Sequence, residues 1–150
     1  MFTNLAIGTG LIVITVVIHL VAMQFTRELA HSHARRVQQD LKTFPALQVT
    51  AVILLMFVAL FLQVFIWAVV YLLLGAMAGM EQSLYFSMVT FTTLGYGDLV
   101  LPAQWSLLSA IEATNGIIMF GWTTAIVIAI VQRVYFSSID TANADPGNSG

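Results

Sequence analysis

The chain has 150 residues, of which 59% are hydrophobic and 8% charged, against roughly 45–50% and 25% in soluble domains. So few charges cannot cover a water-facing surface, and a net charge of −2 argues against nucleic acid as a partner. Cysteine is absent, which excludes disulfides, thiolate metal sites and cysteine nucleophiles.

The apolar residues fall into helix-length blocks, so the chain reads as an all-α integral membrane protein. Leu5 to Phe25 and Ala46 to Leu74 carry no formal charge, and Trp105 to Val131 carries only Glu112. At about 1.5 Å per residue the blocks reach roughly 31, 43 and 40 Å, enough to cross a hydrocarbon core of about 30 Å once each. Three transmembrane helices follow. A transmembrane β-barrel would show short alternating segments instead, and the first block lacks the leading basic residues of a cleaved signal peptide. All five basic residues sit in two places: Arg27, Arg35, Arg36 and Lys42 between the first two helices, and Arg133 after the third. The positive-inside rule makes both places cytoplasmic, with the N-terminus outside a plasma membrane and the C-terminus inside. Gly75 to Gln104 then lies on the outer side.

The chain divides into a first helix and cytoplasmic linker (1–45), a central unit (46–132) and a short cytoplasmic tail (133–150). The linker begins as a helical extension of the first block, and Pro45 suits the first turn of the next helix. The tail ends in turn-forming residues from Asp140 onward and is expected to be disordered. No appended ligand-binding domain fits, and no internal repeat is visible, so a symmetric pore needs several copies.

Gln82 to Phe91 reads as a short helix of about three turns, with Glu81, Gln82 and Ser83 supplying acid or capping groups at its start. It is too short to span. It runs into Thr92-Thr93-Leu94-Gly95-Tyr96-Gly97-Asp98, and Leu99 to Pro102 leads back to the third helix. A short apolar helix followed by irregular backbone returning to the same side is a re-entrant loop, tolerated at membrane depth only where it is buried in protein or lines a watery path. Gly95 to Asp98 alone would suit a simple turn. The flanking threonines, short helix and spanning helices favour a filter instead.

At these residues the chain resembles the pore unit of bacterial two-transmembrane potassium channels, over roughly 46–132. Leu94 stands where valine is usual, and the first helix is an addition to the two-helix plan. Gly116 to Ala125 resembles the family's inner helix, with Gly116 at the gating-hinge position. The resemblance implies a homotetramer around a central pore, passive K+ conduction, no enzymatic activity, and no cofactor beyond the permeating ion. It also implies a hydrogen bond from Tyr85 to Asp98 that braces the filter, with a solvated loop acid as the other reading of Asp98.

The motif has its own physics. A dehydrated K+ needs several oxygen ligands, and a strand whose carbonyls all point one way supplies a column of them. Ordinary β geometry alternates its carbonyls. Gly95 and Gly97 tolerate φ > 0, which lets the backbone turn them to one axis. The ion-binding filter is therefore expected at Thr93, Leu94, Gly95, Tyr96 and Gly97, with K+ held by the carbonyls of Thr93 to Tyr96 and the Thr93 hydroxyl. The side chains of Leu94 and Tyr96 then point into the packing around it. The C-terminal end of the short helix, partially negative, favours a cation nearby.

Support for the filter is expected from Thr92, Tyr85, Asp98 and Glu112, the last as a structural partner behind the short helix in preference to an ion site, since an unpaired carboxylate at that depth is costly. Ile117, Phe120 and Thr124 share a helix face and are candidates for the cavity lining, with lipid-facing or interhelical packing as the other reading. Gly116 and Gly121 equally suit close helix packing. Trp67, Tyr71 and Trp105 are expected as outer-interface anchors, Tyr135 and Phe136 as inner ones. His31 and His33 lack metal-ligand spacing, and His19 reads as a hydrogen-bonded intramembrane group or a pH-sensitive one. A K+ channel competes with a weakly selective cation channel, a non-conducting scaffold or accessory subunit, and a histidine-based redox subunit. The first helix has no arginine ladder for sensing voltage. The opening stimulus is sought among pH, membrane tension, lipid, a bend at Gly116, or a regulatory subunit.

Overall fold

In lipid every backbone N–H and C=O has to be satisfied within its own segment, and the charge-poor blocks meet that demand as helices. The computed structural model describes residues 1–36 and 45–143. Their order is α1 (Phe2–Arg36), α2 (Pro45–Leu73), α3 (Met80–Phe91), a 3-10 turn (Ala103–Trp105) and α4 (Ser106–Asn143), with no strand among the described residues. Three stretches are long and apolar enough to cross a membrane: Phe2–Glu28, Val49–Leu73 and Ala103–Arg133. The expectations placed on Lys42, His31, His33, Tyr135 and Phe136 concern side chains outside the described residues.

Two boundaries differ from the sequence reading. α4 continues past Gln132 to Asn143, so 133–143 is helical where a disordered tail was expected. No glycine or proline lies between Gly121 and Pro146 to stop a helix already nucleated in the membrane. α3 begins at Met80, two residues earlier than expected, because Gly79 takes an extended conformation (φ −162°) and serves as the N-cap with no side-chain capping bond. Of the expected start residues, Glu81 lies in the first turn. Ser83 is no cap, since its hydroxyl donates back to the Gly79 carbonyl at 2.9 Å.

α3 packs between α2 and α4. Trp67, Tyr71, Phe86, Phe91, Leu108 and Met119 form the main cluster there, with Phe86 edge-on to Tyr71 at 5.3 Å. Trp67 and Tyr71 are completely buried, which corrects their reading as interface anchors. Lipid solvates leucine as well as a protein core does, so close packing and polar contacts decide which helix faces meet.

α1 shows that rule. Its buried positions are Asn4, Gly8, Leu11, Thr15, His19, Ala22 and Thr26, one stripe at spacings of three and four residues that is mostly polar or small. Val13, Ile14, Val17, Leu20, Val21 and Phe25 are turned outward. The stripe docks by hydrogen bonds: Asn4 Nδ2 donates to the Gln104 carbonyl at 2.7 Å, and Asn115 Nδ2 donates to Thr15 Oγ1 at 3.0 Å. His19 Nδ1 pairs with Gln63 Nε2 at 3.3 Å, and its ring lies 5.0 Å from that of Trp122. Thus α1 is bonded to α2, to α4 and to the turn before α4.

Candidate functional site

The loop between α3 and the 3-10 turn begins as a helix cap. Thr92 is the C-cap of α3. The Thr93 N–H donates to the Thr90 carbonyl at 2.9 Å and the Leu94 N–H to the Val89 carbonyl at 2.9 Å. That pair of bonds is the Schellman arrangement, which requires a left-handed residue at the position Thr93 occupies. Thr93 has φ +60° and is the only non-glycine with positive φ among the described residues. A β-branched residue there is strained by roughly 1–2 kcal/mol, and such strain persists only where the surroundings impose it. Thr92 adds a bond from its hydroxyl to the Met88 carbonyl at 2.6 Å.

Beyond the cap, positive φ recurs at alternate residues: Thr93 at +60°, Gly95 at +56° and Gly97 at +77°. This rhythm turns successive carbonyls that a β-strand would alternate. Among the described residues, no protein hydrogen bond ends on the carbonyl oxygens of Thr93, Leu94, Gly95 or Tyr96. Four acceptors in a row are left for something else to satisfy.

Past Gly97, Asp98 ties the loop back to α3. Its Oδ2 accepts from the Tyr85 hydroxyl at 2.6 Å and its Oδ1 from the Leu99 N–H at 3.0 Å. The Tyr85 bond holds the Asp98 carboxyl below the usual carboxylate range, and the same bond pushes the Tyr85 hydroxyl up.

Behind α3 lies a second polar group. Glu112 on α4 is fully buried, as is Ser87 on α3. Glu112 Oε2 accepts from the Tyr71 hydroxyl of α2 at 2.6 Å. Ser87 Oγ lies 2.5 Å from Glu112 Oε1 and 2.9 Å from the Val64 carbonyl oxygen. One carboxyl thereby joins three helices.

At Gly116, α4 passes close against the end of α3. A β-carbon on it would collide with the carbonyl of Phe91, the last residue of α3. A β-carbon on Gly121 would meet nothing. α4 runs unbroken through both glycines.

Other expected site residues are not brought together within one chain. Leu94 is 58% and Tyr96 66% exposed, with Val100 at 78% beside them, so the expected packing around the loop has no partner in this subunit. Ile117 (61% exposed) and Phe120 (39%) face outward from α4, with Thr124 donating to the Phe120 carbonyl at 2.9 Å. Three features escaped the sequence reading: the left-handed Thr93, the polar stripe of α1, and Tyr71 and Ser87 as partners of Glu112. The stripe had a signal, namely polar and small residues at every third or fourth place of an apolar helix.

A family model described as an ion channel matches residues 51–133, from within α2 through α3 and the loop to the upper part of α4. No curated protein and no solved structure matches the chain.

Proposed function

Since the chain belongs to the ion-channel family, we propose that it conducts K+ selectively and passively across the plasma membrane, as a homotetramer with four Thr93–Gly97 segments around one axis. The observation that carries this reading is the alternation of positive φ at Thr93, Gly95 and Gly97 along a run of carbonyls with no protein partner. Four such runs supply rings of oxygen dipoles that replace the hydration shell of the ion without a fixed charge to trap it. The Thr93 hydroxyl adds the innermost ligand. The exposed Leu94, Tyr96 and Val100 support a tetramer, because neighbouring copies would cover apolar groups that one chain leaves open.

Ile117, Phe120 and Thr124 line the cavity below the filter in this reading, and Gly116 is the proposed bend for opening. The distribution of the basic residues supports an N-terminus outside and a C-terminus in the cytoplasm. Protein purified into liposomes, under opposing K+ and Na+ gradients, should give a reversal potential close to that of K+. A reversal potential midway between the two ions would make the pore a weakly selective cation channel, and absence of flux would make the chain an accessory subunit.

A further inference from the structure

We propose that Glu112 is a neutral carboxylic acid that donates its own proton to Ser87, and that this donation positions α3 beneath the filter. The inference deepens the channel reading and rests on it for the role of α3, but not for the state of the carboxyl.

The argument is a count of hydrogens. A serine hydroxyl has one hydrogen and two acceptor sites, and a backbone carbonyl oxygen can only accept. Ser87 Oγ sits at bonding distance from the Val64 carbonyl oxygen and from Glu112 Oε1. If Ser87 gives its hydrogen to Val64, the contact with Oε1 is a bond only when Oε1 carries a hydrogen. Were Glu112 ionised, two acceptors would compete for that one hydrogen. With Glu112 neutral, the chain is complete: Tyr71 donates to Oε2, Oε1 donates to Ser87, and Ser87 donates to Val64.

Charge balance points the same way. No Lys or Arg occurs between Lys42 and Arg133, and both lie beyond the apolar stretch holding Glu112. Among the described residues Tyr71 from α2 and Ser87 from α3 are its hydrogen-bond partners, and neither is a cation. A buried carboxylate with no counter-ion is unfavourable, and neutralisation is the usual outcome. Neutrality also fits the channel reading, since a fixed negative charge behind α3 would offer K+ a competing resting place.

The positioning follows from geometry. Ser87 lies in the middle of α3, and the relay fixes it to Val64 and Tyr71 on α2 and to Glu112 on α4. The turn of α3 that ends in the Thr93 cap starts at Met88, the next residue.

Infrared difference spectra of wild type against Glu112→Gln, in lipid vesicles, test the state directly. The expected result is a protonated-carboxyl C=O stretch in wild type at neutral pH, well above the ordinary carboxylate range, that Glu112→Gln lacks. Tyr71→Phe keeps the ring, takes a donor from Oε2 and should move that band to higher frequency, so the test survives if Glu112→Gln does not fold. Glu112→Gln, whose amide can donate to Ser87 and accept from Tyr71, should keep K+ flux within about two-fold of wild type, whereas Glu112→Ala should lose at least about ten-fold. A carboxylate band in wild type at neutral pH, or equal flux from the Gln and Ala variants when wild type conducts, would overturn the proposal. The infrared result stands whether or not the protein conducts, so a failure of the channel reading would show separately in the flux.

Discussion

Gly95 and Gly97 take φ of +56° and +77°, a conformation that costs an L-residue about 1–2 kcal/mol. In the proposed tetramer an alanine at either position imposes that strain four times on one ion path. Gly95→Ala or Gly97→Ala should therefore abolish K+ selectivity or flux while leaving assembly intact, as read by reversal potential and by cross-linked oligomer size. The two glycines announce their geometry by residue type. Thr93 does not, because its left-handed backbone comes from the cap of α3, and nothing in a threonine's identity reports which bonds its neighbours make. Tyr85 and Asp98 make a second residue-level test. Asp98 is held below its ordinary range by the Tyr85 hydroxyl, so the bond's contribution is present above the ordinary carboxylate value of about 4 and is lost as pH falls through the depressed one. Tyr85 is shifted upward, so the tyrosine side fails only when pH rises past its ordinary value of about 10. The open lifetime should accordingly be flat through neutral pH and shorten in acid. Tyr85→Phe should shorten it at all pH values and flatten the acid limb. Its effect and that of Asp98→Asn should add less than fully in the double variant, and full additivity would separate the two residues.

At the scale of helices, α1 shows how a membrane element can look like an anchor and behave as a packed part. Its run from Leu5 to Phe25 is apolar enough to be seen as a span from sequence alone. Which side it turns inward is marked by Asn4, Gly8, Thr15 and His19 rather than by the largest hydrophobes, the reverse of the pattern in a water-soluble helix. Tyr71 misled for a related reason: a tyrosine near a helix end suits the membrane interface, and only the fold reveals that Glu112 stands opposite its hydroxyl. By contrast, the spans of α2 and α4 and the short α3 were legible, since charge-free length and the Gly-Tyr-Gly run are local properties. Thr15→Val removes a hydroxyl of similar bulk and leaves Asn115 without its partner. Loss of one such interhelical bond in a membrane costs about 0.6 kcal/mol, rising to about 1.7. Thr15→Val should lower the thermal midpoint of the detergent-solubilised protein by a small but measurable amount. Val13→Thr, on the outward side of the same helix, should not.

Across the whole molecule, three contacts of α4 fall at neighbouring levels. Glu112 reaches α2 and α3, Asn115 reaches α1, and Gly116 lies against the end of α3. From sequence alone, Gly116→Ala is expected to reduce opening without touching the K+ to Na+ ratio, because hinge and filter are far apart along the chain. The structure sets Gly116 against the carbonyl of Phe91, two residues before Thr93 and the proposed filter. A methyl group at 116 has to displace backbone, an overpacking that costs roughly 1–3 kcal/mol. Gly116→Ala should therefore shift both open probability and the reversal potential. Gly121→Ala, with open space at its β-carbon, should leave the reversal potential alone.

That contact makes α4 a lever with Phe91 at its fulcrum. The arm above it, from Ser106, measures roughly 15 Å and the arm below, to Asn143, roughly 40 Å at the usual helical rise. In the proposed channel a swing of the lower end would turn about Gly116, where travel is least, so Phe91 and the loop that follows it would receive torque rather than displacement. Movement at the Asn143 end and load on the Phe91 carbonyl would then be two aspects of one motion.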